Sequence, residues 1–430
     1  MREMKDSGIE WIGEIPKEWV CCKVKNATSF VGSGTTPTSS NQEFYDGDIN
    51  WIQSGDLYKA AAVESVEKKL TLKALKSFPA LHIYQAPFIV MAMYGASVGN
   101  TAFSKIDACC NQACCCIKNN EFFNLNFMYY WLLLAKIDFL GRAIGGTQPN
   151  ISQEKIRNQH IVKPSLEEQQ QIADFLDSKC SEIDATAEGI QKEISLLEDY
   201  KKSVITEAVT KGLNPDAEMK DSGIEWIGEI PKDWKVVNPR WLFAQRKDRA
   251  KKGMEQYTAS QKYGVISQKD YMNRIGGSIV TVQKDFDILK MVCKGDFVIH
   301  MRSFQGGLEY SEHTGSISSA YVMLIPDKKA GECRYFKWLF KSASYINALQ
   351  STSNLIRDGQ AMRYSNFIQI IIPYPPLEEQ QQIADFLDSK CSEIDSLIAD
   401  KKRQLDILAD YKKSLIYEYV TGKKEVPVHE

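Results

Sequence analysis

Leu166-Glu167-Glu168-Gln169-Gln170-Gln171-Ile172-Ala173-Asp174-Phe175-Leu176-Asp177-Ser178-Lys179-Cys180-Ser181-Glu182-Ile183-Asp184 returns letter for letter as Leu377–Asp395. A proline turn precedes each copy, Lys163-Pro164-Ser165 in one case and Pro373-Tyr374-Pro375-Pro376 in the other. Each copy runs on to the same Asp-Tyr-Lys-Lys-Ser, at residues 199–203 and 410–414. A second repeat frames the first: MKDSGIEWIGEIPKEW from Met4 to Trp19, and MKDSGIEWIGEIPKDW from Met219 to Trp234. A repeat spacing of about half the chain is far too long for a solenoid, so the chain is two copies of one design.

Acids crowd the start of both long segments and prolines stand just before them, as at helix N-termini. Apolar positions then recur at alternating steps of three and four. They are Leu176, Cys180, Ile183, Ala187, Ile190, Ile194, Leu197, Lys201, Val204 and Ala208, then Leu387, Cys391, Ile394, Ile398, Lys401, Leu405, Leu408, Lys412, Leu415 and Tyr419. This is a heptad seam, and it predicts a coiled coil of two helices of about 45 residues, roughly 65 Å each. The natural partner of each helix is the other. Two separate surface helices would be unusual, because few globular helices pass about 25 residues without a break.

The 430 residues suffice for two to four domains. No apolar run is long enough to span a bilayer and the first residues carry no signal-peptide pattern, so a cytoplasmic protein is expected. Eleven cysteines, an odd number, argue for reduced thiols. None sits in paired Cys-x-x-Cys spacing, which speaks against zinc. Ala108 to Ile117 reads instead as one buried strand in which cysteine serves as a small hydrophobe.

The net charge of −2 hides an uneven distribution. Residues 235–374 hold 21 Lys and Arg against 11 Asp and Glu, and residues 20–163 hold 14 against 10. The helical segments 166–210 and 377–425 are acidic, with 4 against 11 and 8 against 11. Basic globular parts joined by acidic helices predict a polyanion bound by the former and other partners by the latter.

Four parts follow. Residues 1–163 hold a docking segment and a first β-rich domain, and residues 164–218 the first helix. Residues 219–374 repeat the docking segment before a second domain, and residues 375–430 form the second helix. The class is mixed α+β. In the first domain strands are expected at Phe30-Val31, Ile49–Ile52, Phe88–Met91 and Ile161-Val162, with an apolar helix from Asn124 to Asp138. In the second, strands are expected at Asp296–Ile299 and Ile368–Ile372, with a helix from Tyr335 to Ala348. The first docking segment is expected beside the end of the second helix, as its copy directly follows the first.

No catalytic constellation emerges. Gly32-Ser33-Gly34 lacks the third glycine of a dinucleotide or S-adenosylmethionine loop, since Pro37 stands there, and no Gly-x-x-x-x-Gly-Lys-Ser/Thr loop exists. Pro215-Asp216 and Glu218-Met219-Lys220 are too close in sequence to put nuclease carboxylates on adjacent strands. The five histidines, His82, His160, His300, His313 and His429, have no catalytic partner at a telling spacing.

The twice-repeated Leu-Glu-Glu-Gln-Gln-x-Ile-Ala-x-Phe-Leu-Asp that opens a heptad helix resembles the specificity subunit of type I restriction–modification systems. The duplicated Gly-Ile-Glu-Trp-Ile-Gly-Glu-Ile-Pro-x-x-Trp is similar to it as well, and the likeness covers the whole chain. The resemblance implies a non-catalytic DNA-binding subunit with two target recognition domains. Each would read half of a bipartite, asymmetric target, while the helices set the gap and seat two modification (methyltransferase) subunits. Restriction (ATP-dependent nuclease) subunits would join them. S-adenosylmethionine, ATP and Mg²⁺ belong to those partners, so no cofactor or metal is expected in this chain.

Loops with amides, hydroxyls and arginine beside glycines suit groove contacts. Candidates for DNA binding are Thr35, Thr36, Tyr94, Ser97, Gln148 and Asn150 in the first domain. In the second they are Arg302, Ser303, Gln305, Gln360, Arg363 and Tyr364, with Lys247, Arg249, Lys251 and Lys252 as a phosphate-contacting run. Each also suits an ordinary solvated turn. Glu167, Glu168, Gln170, Glu378, Glu379 and Gln381 are candidates for contact with the modification subunits, though acids at a helix start need no partner. The alternative function is a non-catalytic coiled-coil adapter that displays two protein-binding domains.

Overall fold

A computed structural model describes residues 2–58, 62–141, 150–276, 288–352 and 362–427. Two compact units emerge: Met1–Gly189 with Gln404–Glu430, and Ile190–Arg403. The first long helix, Leu166–Lys211, and the second, Leu377–Val420, each give one half to each unit. No helix among the described residues is long and apolar enough to cross a membrane.

The first unit opens with a hairpin, Met4–Asp6 against Glu14–Pro16, whose Ile9, Ile12 and Ile15 are buried together with Trp19. Val20–Lys23 then pairs antiparallel with His160–Lys163, so the domain's first and last strands close it as a loop hung on the helix. Inside that closure lies a five-stranded sheet made of β1 (Thr28–Ser33), β2 (Ala62–Val63), β3 (Phe88–Ala92), β4 (Thr101–Ser104) and β5 (Cys114–Asn119), in the order β1-β5-β3-β4-β2. The helix Leu125–Gly141 packs Phe127, Trp131 and Ala135 into one core with Ile172 and Leu176 of the first long helix and Leu415, Ile416 and Tyr419 of the second.

The second unit repeats the plan. Met219–Asp221 pairs with Glu229–Pro231, and Lys235–Val237 closes antiparallel on Ile372–Tyr374. Its strands are β6 (Phe243–Arg246), β7 (Tyr257–Ser260), β8 (Gly264–Ser267), β9 (Phe297–Ile299), β10 (Glu309–Tyr310) and β11 (Val322–Pro326). The main sheet runs β6-β11-β9-β10, while β7 and β8 form a separate hairpin. Thus β6, β11, β9 and β10 take the places of β1, β5, β3 and β4. An aromatic core of Phe243, Phe297, Phe336, Phe340 and Phe367 fills the space beneath.

The seam positions inferred from the sequence are the covered ones. Leu176, Cys180, Ile194, Ala208, Leu387, Cys391, Ile394, Ile398, Leu415 and Tyr419 are buried, and the rest of the seam is half-buried. In the first unit the Phe175 ring packs tilted against Tyr419 at 4.4 Å and Lys412 pairs with Asp184 at 2.6 Å, so the helices run antiparallel there. In the second unit Lys201 pairs with Asp395 at 2.6 Å and Lys401 with Glu193, again antiparallel.

The repeated residues do the same work twice. The buried indoles of Trp19 and Trp234 donate to Glu168 and Glu379 at 2.8 and 2.7 Å. The buried amides of Gln169 and Gln380 donate to the carbonyls of Pro164 and Pro375, and accept from the backbone N–H of Asn124 and Glu332. The chain leaves each long helix through a glycine at positive φ, Gly212 or Gly422, pressed against that unit's docking hairpin. A Cβ on Gly422 would lie 2.5 Å from the Pro16 ring and 2.8 Å from Trp19, and Tyr417 donates to the Ile12 carbonyl. The first docking segment therefore does sit beside the end of the second helix.

Three local expectations are corrected. Residues 108–117 are two strands, Cys109–Cys110 and β5, separated by a turn in which Asn111 accepts from the Ala113 N–H. The helix expected from Tyr335 to Ala348 is two helices, Cys333–Leu339 and Ala343–Ser351, because the Ser342 hydroxyl caps the second one. Ile368–Ile372 is not a strand. A helical turn, Tyr364–Phe367, precedes it, Phe367 and Ile370 are both buried at a helical spacing of three, and extended backbone begins only at Ile372.

Two measurements follow. Burial pushes the Cys109 thiol up to about 12 and drives Cys114, Cys115 and Cys116 further above the usual range. Alkylation of the native protein at pH 8 should therefore leave these four unmodified until denaturant is added, read by peptide mass spectrometry. Glu379→Leu strands the buried Trp234 N–H and should cost about 1–3 kcal/mol in denaturant unfolding. Adding Trp234→Phe should recover part of that loss.

Candidate nucleic-acid interface

In both units the loops that carry most of the described candidate residues leave the same end of equivalent sheets. In the first, β1 ends at Ser33, β5 begins at Cys114 and β3 ends at Ala92, with Ser33 opposite Cys115 and Cys115 opposite Met91. The residues just beyond these strand ends therefore gather at one edge. Gly34 lies so close to Cys110 that a Cβ would sit 1.7 Å from its carbonyl oxygen, which leaves no room for any side chain. Thr35 follows half-buried, and the exposed Thr36 donates to the side-chain oxygen of Gln112. Tyr94 is exposed and bridges Asn150 through the backbone, while the Ser97 hydroxyl donates to the Tyr94 carbonyl at 3.3 Å. Gln153 donates to the Val31 carbonyl at 2.6 Å and pins the Asn150 stretch to β1.

The structure thus brings together Thr35, Thr36, Tyr94, Ser97 and Asn150, and adds Gln112. The signal for Gln112 lay in the register between β1 and β5, not in its neighbours. Gln148 lies outside the described residues. The edge carries phenol, hydroxyl and amide groups suited to base edges and phosphates alike.

The second unit sets a more basic edge in the same place. β6 ends at Arg246, β9 ends at Ile299, and β11 begins at Val322. Arg246 itself is spent internally, in a bidentate pair with the buried Asp296 at 2.7 and 2.9 Å. Beyond it Lys247, Arg249, Lys251 and Lys252 are exposed, and Arg249 also donates to the Ile288 carbonyl. Beyond β9, the backbone N–H of the exposed Arg302 donates to Nδ1 of the buried His300. His300 Nε2 lies 3.6 Å from buried Glu309, which is itself paired with Lys341 at 2.5 Å. A buried polar cluster therefore underlies the loop that presents Arg302.

Three residues expected at this site are corrected. Ser303 is fully buried, and its hydroxyl accepts from the His300 N–H at 2.9 Å, so it shapes the turn and cannot reach a ligand. Tyr364 is half-buried and donates to the Phe243 carbonyl at 2.8 Å. That contact puts Tyr364 and the neighbouring exposed Arg363 at the start of β6, the opposite end from Lys247. Gln305 remains exposed beside Arg302, and Gln360 lies outside the described residues.

Of the helix-start residues, Glu167, Gln170, Glu378 and Gln381 are exposed. Glu168 and Glu379 face inward on the tryptophans, and Glu168 also pairs with Arg2 at 2.5 Å. Among the described residues no three His, Cys, Asp or Glu side chains come together in a way that could hold a metal ion.

The family model for the type I restriction modification DNA specificity domain matches the chain twice, over residues 16–196 and 231–406. Each match takes in one sheet domain and runs well into the long helix that follows. The MjaVIII type I restriction enzyme specificity subunit of Methanocaldococcus jannaschii is 24% identical over 429 residues, covering 96% of this chain and 94% of its own. The MjaIX specificity subunit of the same organism is 30% identical over 234 residues, covering 52% of this chain and 51% of its own. A solved chain described under the assembly and conformational transition of the type I R-M system shares the fold at 14% identity. It has a TM-score of 0.68 and covers 95% of this chain and 99% of its own. With the family model matched on both halves, the chain belongs to the type I restriction–modification DNA specificity family, as a specificity subunit with two recognition domains.

Proposed function

We propose that each recognition domain reads one half of a bipartite, asymmetric DNA target, and that the antiparallel helices set the unread gap. The observation that carries this reading is the twofold match to the specificity model, coupled to two chemically different loop edges on equivalent sheet ends. Different edges on one scaffold suit different half-sequences. Lys247, Arg249, Lys251 and Lys252 would contact phosphates, while Thr35, Thr36, Tyr94, Ser97, Asn150, Arg302 and Gln305 would face the groove. Modification subunits, and restriction subunits where the host makes them, would dock on the helices, with Glu167, Gln170, Glu378 and Gln381 among the contacts. S-adenosylmethionine, ATP and Mg²⁺ chemistry would lie in those partners, and this chain would act without catalysis in the cytoplasm.

The chain, co-purified with its modification subunit, should retain from randomised duplexes a split motif with a fixed gap, read by sequencing. Exchanging residues 235–374 for another domain of the family should change one half of that motif only. Retention without any motif, fading evenly with salt, would favour the adapter reading. Within the retained motif, Arg302→Ala should relax one position in the second domain's half and cost about 1–3 kcal/mol there.

A further inference from the structure

The β7–β8 hairpin of the second unit turns through Gln261-Lys262-Tyr263, and Ser267 then caps a helix, Gln268–Ile275. Tyr263 on the hairpin meets Tyr271 on the helix edge to face at 6.2 Å. Two cations flank the Tyr263 ring. Lys262 Nζ and the Arg274 guanidinium each lie 5.1 Å from its centre. Both side chains are exposed, and among the described residues no ion pair to a carboxylate joins either one. Tyr271 and Arg274 are three apart and so share a helix face.

Two like charges held on one ring repel each other, and an aromatic face returns only about 0.5–1 kcal/mol per exposed cation. An anion between them would remove the repulsion. The hairpin tip is also fixed in place. The Gln261 amide donates to the Arg302 carbonyl at 3.0 Å, and Gly306 packs so tightly on Gln261 that a Cβ there would meet it at 2.7 Å. The cation pair is thereby tied to the loop that presents Arg302, although in sequence the two stand about 30–40 residues apart.

We infer that Lys262 and Arg274, mounted on Tyr263, form a phosphate clamp for the DNA backbone beside the bases faced by Arg302. This rests on the DNA-reading function proposed above. The clamp binds a strand phosphate without regard to base identity, because neither cation belongs to the loops at the sheet end. Its work is to add sequence-independent affinity beside the loop that presents Arg302, while the base contacts themselves carry the sequence information.

The test measures affinity against salt concentration for the full chain co-purified with its modification subunit, on the selected target and on an unrelated duplex of equal length. Lys262→Gln with Arg274→Gln should flatten the log–log salt dependence by about 0.9 for each charge removed, on both duplexes, with the recovered motif unchanged. The charge-conserving pair Lys262→Arg and Arg274→Lys should keep the wild-type slope. An unchanged slope in the glutamine variant overturns the clamp. So does a changed base preference in the second half-motif, which would make these residues readers of sequence. If the wild-type protein itself recovers no split motif, the DNA-reading function fails, and the clamp with it.

Discussion

The fold depends on a shortage of apolar surface along two long helices. Each offers a narrow seam too weak to stand alone and too long to be covered by one small domain, so each must lie along the other. Lysine occupies seam positions 201, 401 and 412, and each finds a carboxylate on the opposite helix within its unit. Such pairs add little stability at partly exposed sites. Their effect is on choice. A charged group in a seam penalises every register that leaves it without a partner, which makes it a device for selecting one alignment.

The same constraint explains which residues the two halves share. The near-identical stretches are those that touch both the helices and the docking hairpins, as Trp19 and Trp234 touch Glu168 and Glu379. The domains between them share strand order and little else. Asp177 accepts from Tyr130 in one unit, and its counterpart Asp388 accepts from Trp338 in the other. The fixed side of the joint is kept letter for letter, and the variable side needs only to supply a donor at the same place.

Much of this was legible in the sequence. The repeats gave the two units, the seam gave the buried helix positions, and the glycine-flanked polar loops gave most of the first domain's edge. What stayed hidden depends on register between distant strands. Gln112 joins Thr36 only because β5 lies beside β1, and Gln261 reaches Arg302 only because a hairpin folds back over the turn. Ser303 was misread for the converse reason. In a stretch of Ser, Gln and Gly it looks like a solvated loop residue, and nothing local says that its hydroxyl points inward to His300. The break between the helices at Ser342 hid behind an unbroken apolar pattern.

The two units differ in how the chain visits them. The second is a single stretch, whereas the first is completed by residues that come more than two hundred positions later. During synthesis the first domain emerges early, but Ile12, Pro16 and Trp19 meet Tyr417 and Gly422 only after residues 20–416 have been made. The second unit is thus able to close before the first, and the Met4–Pro16 hairpin docks only afterwards. Until then its apolar face stays open to solvent, an adhesive patch on the nascent protein.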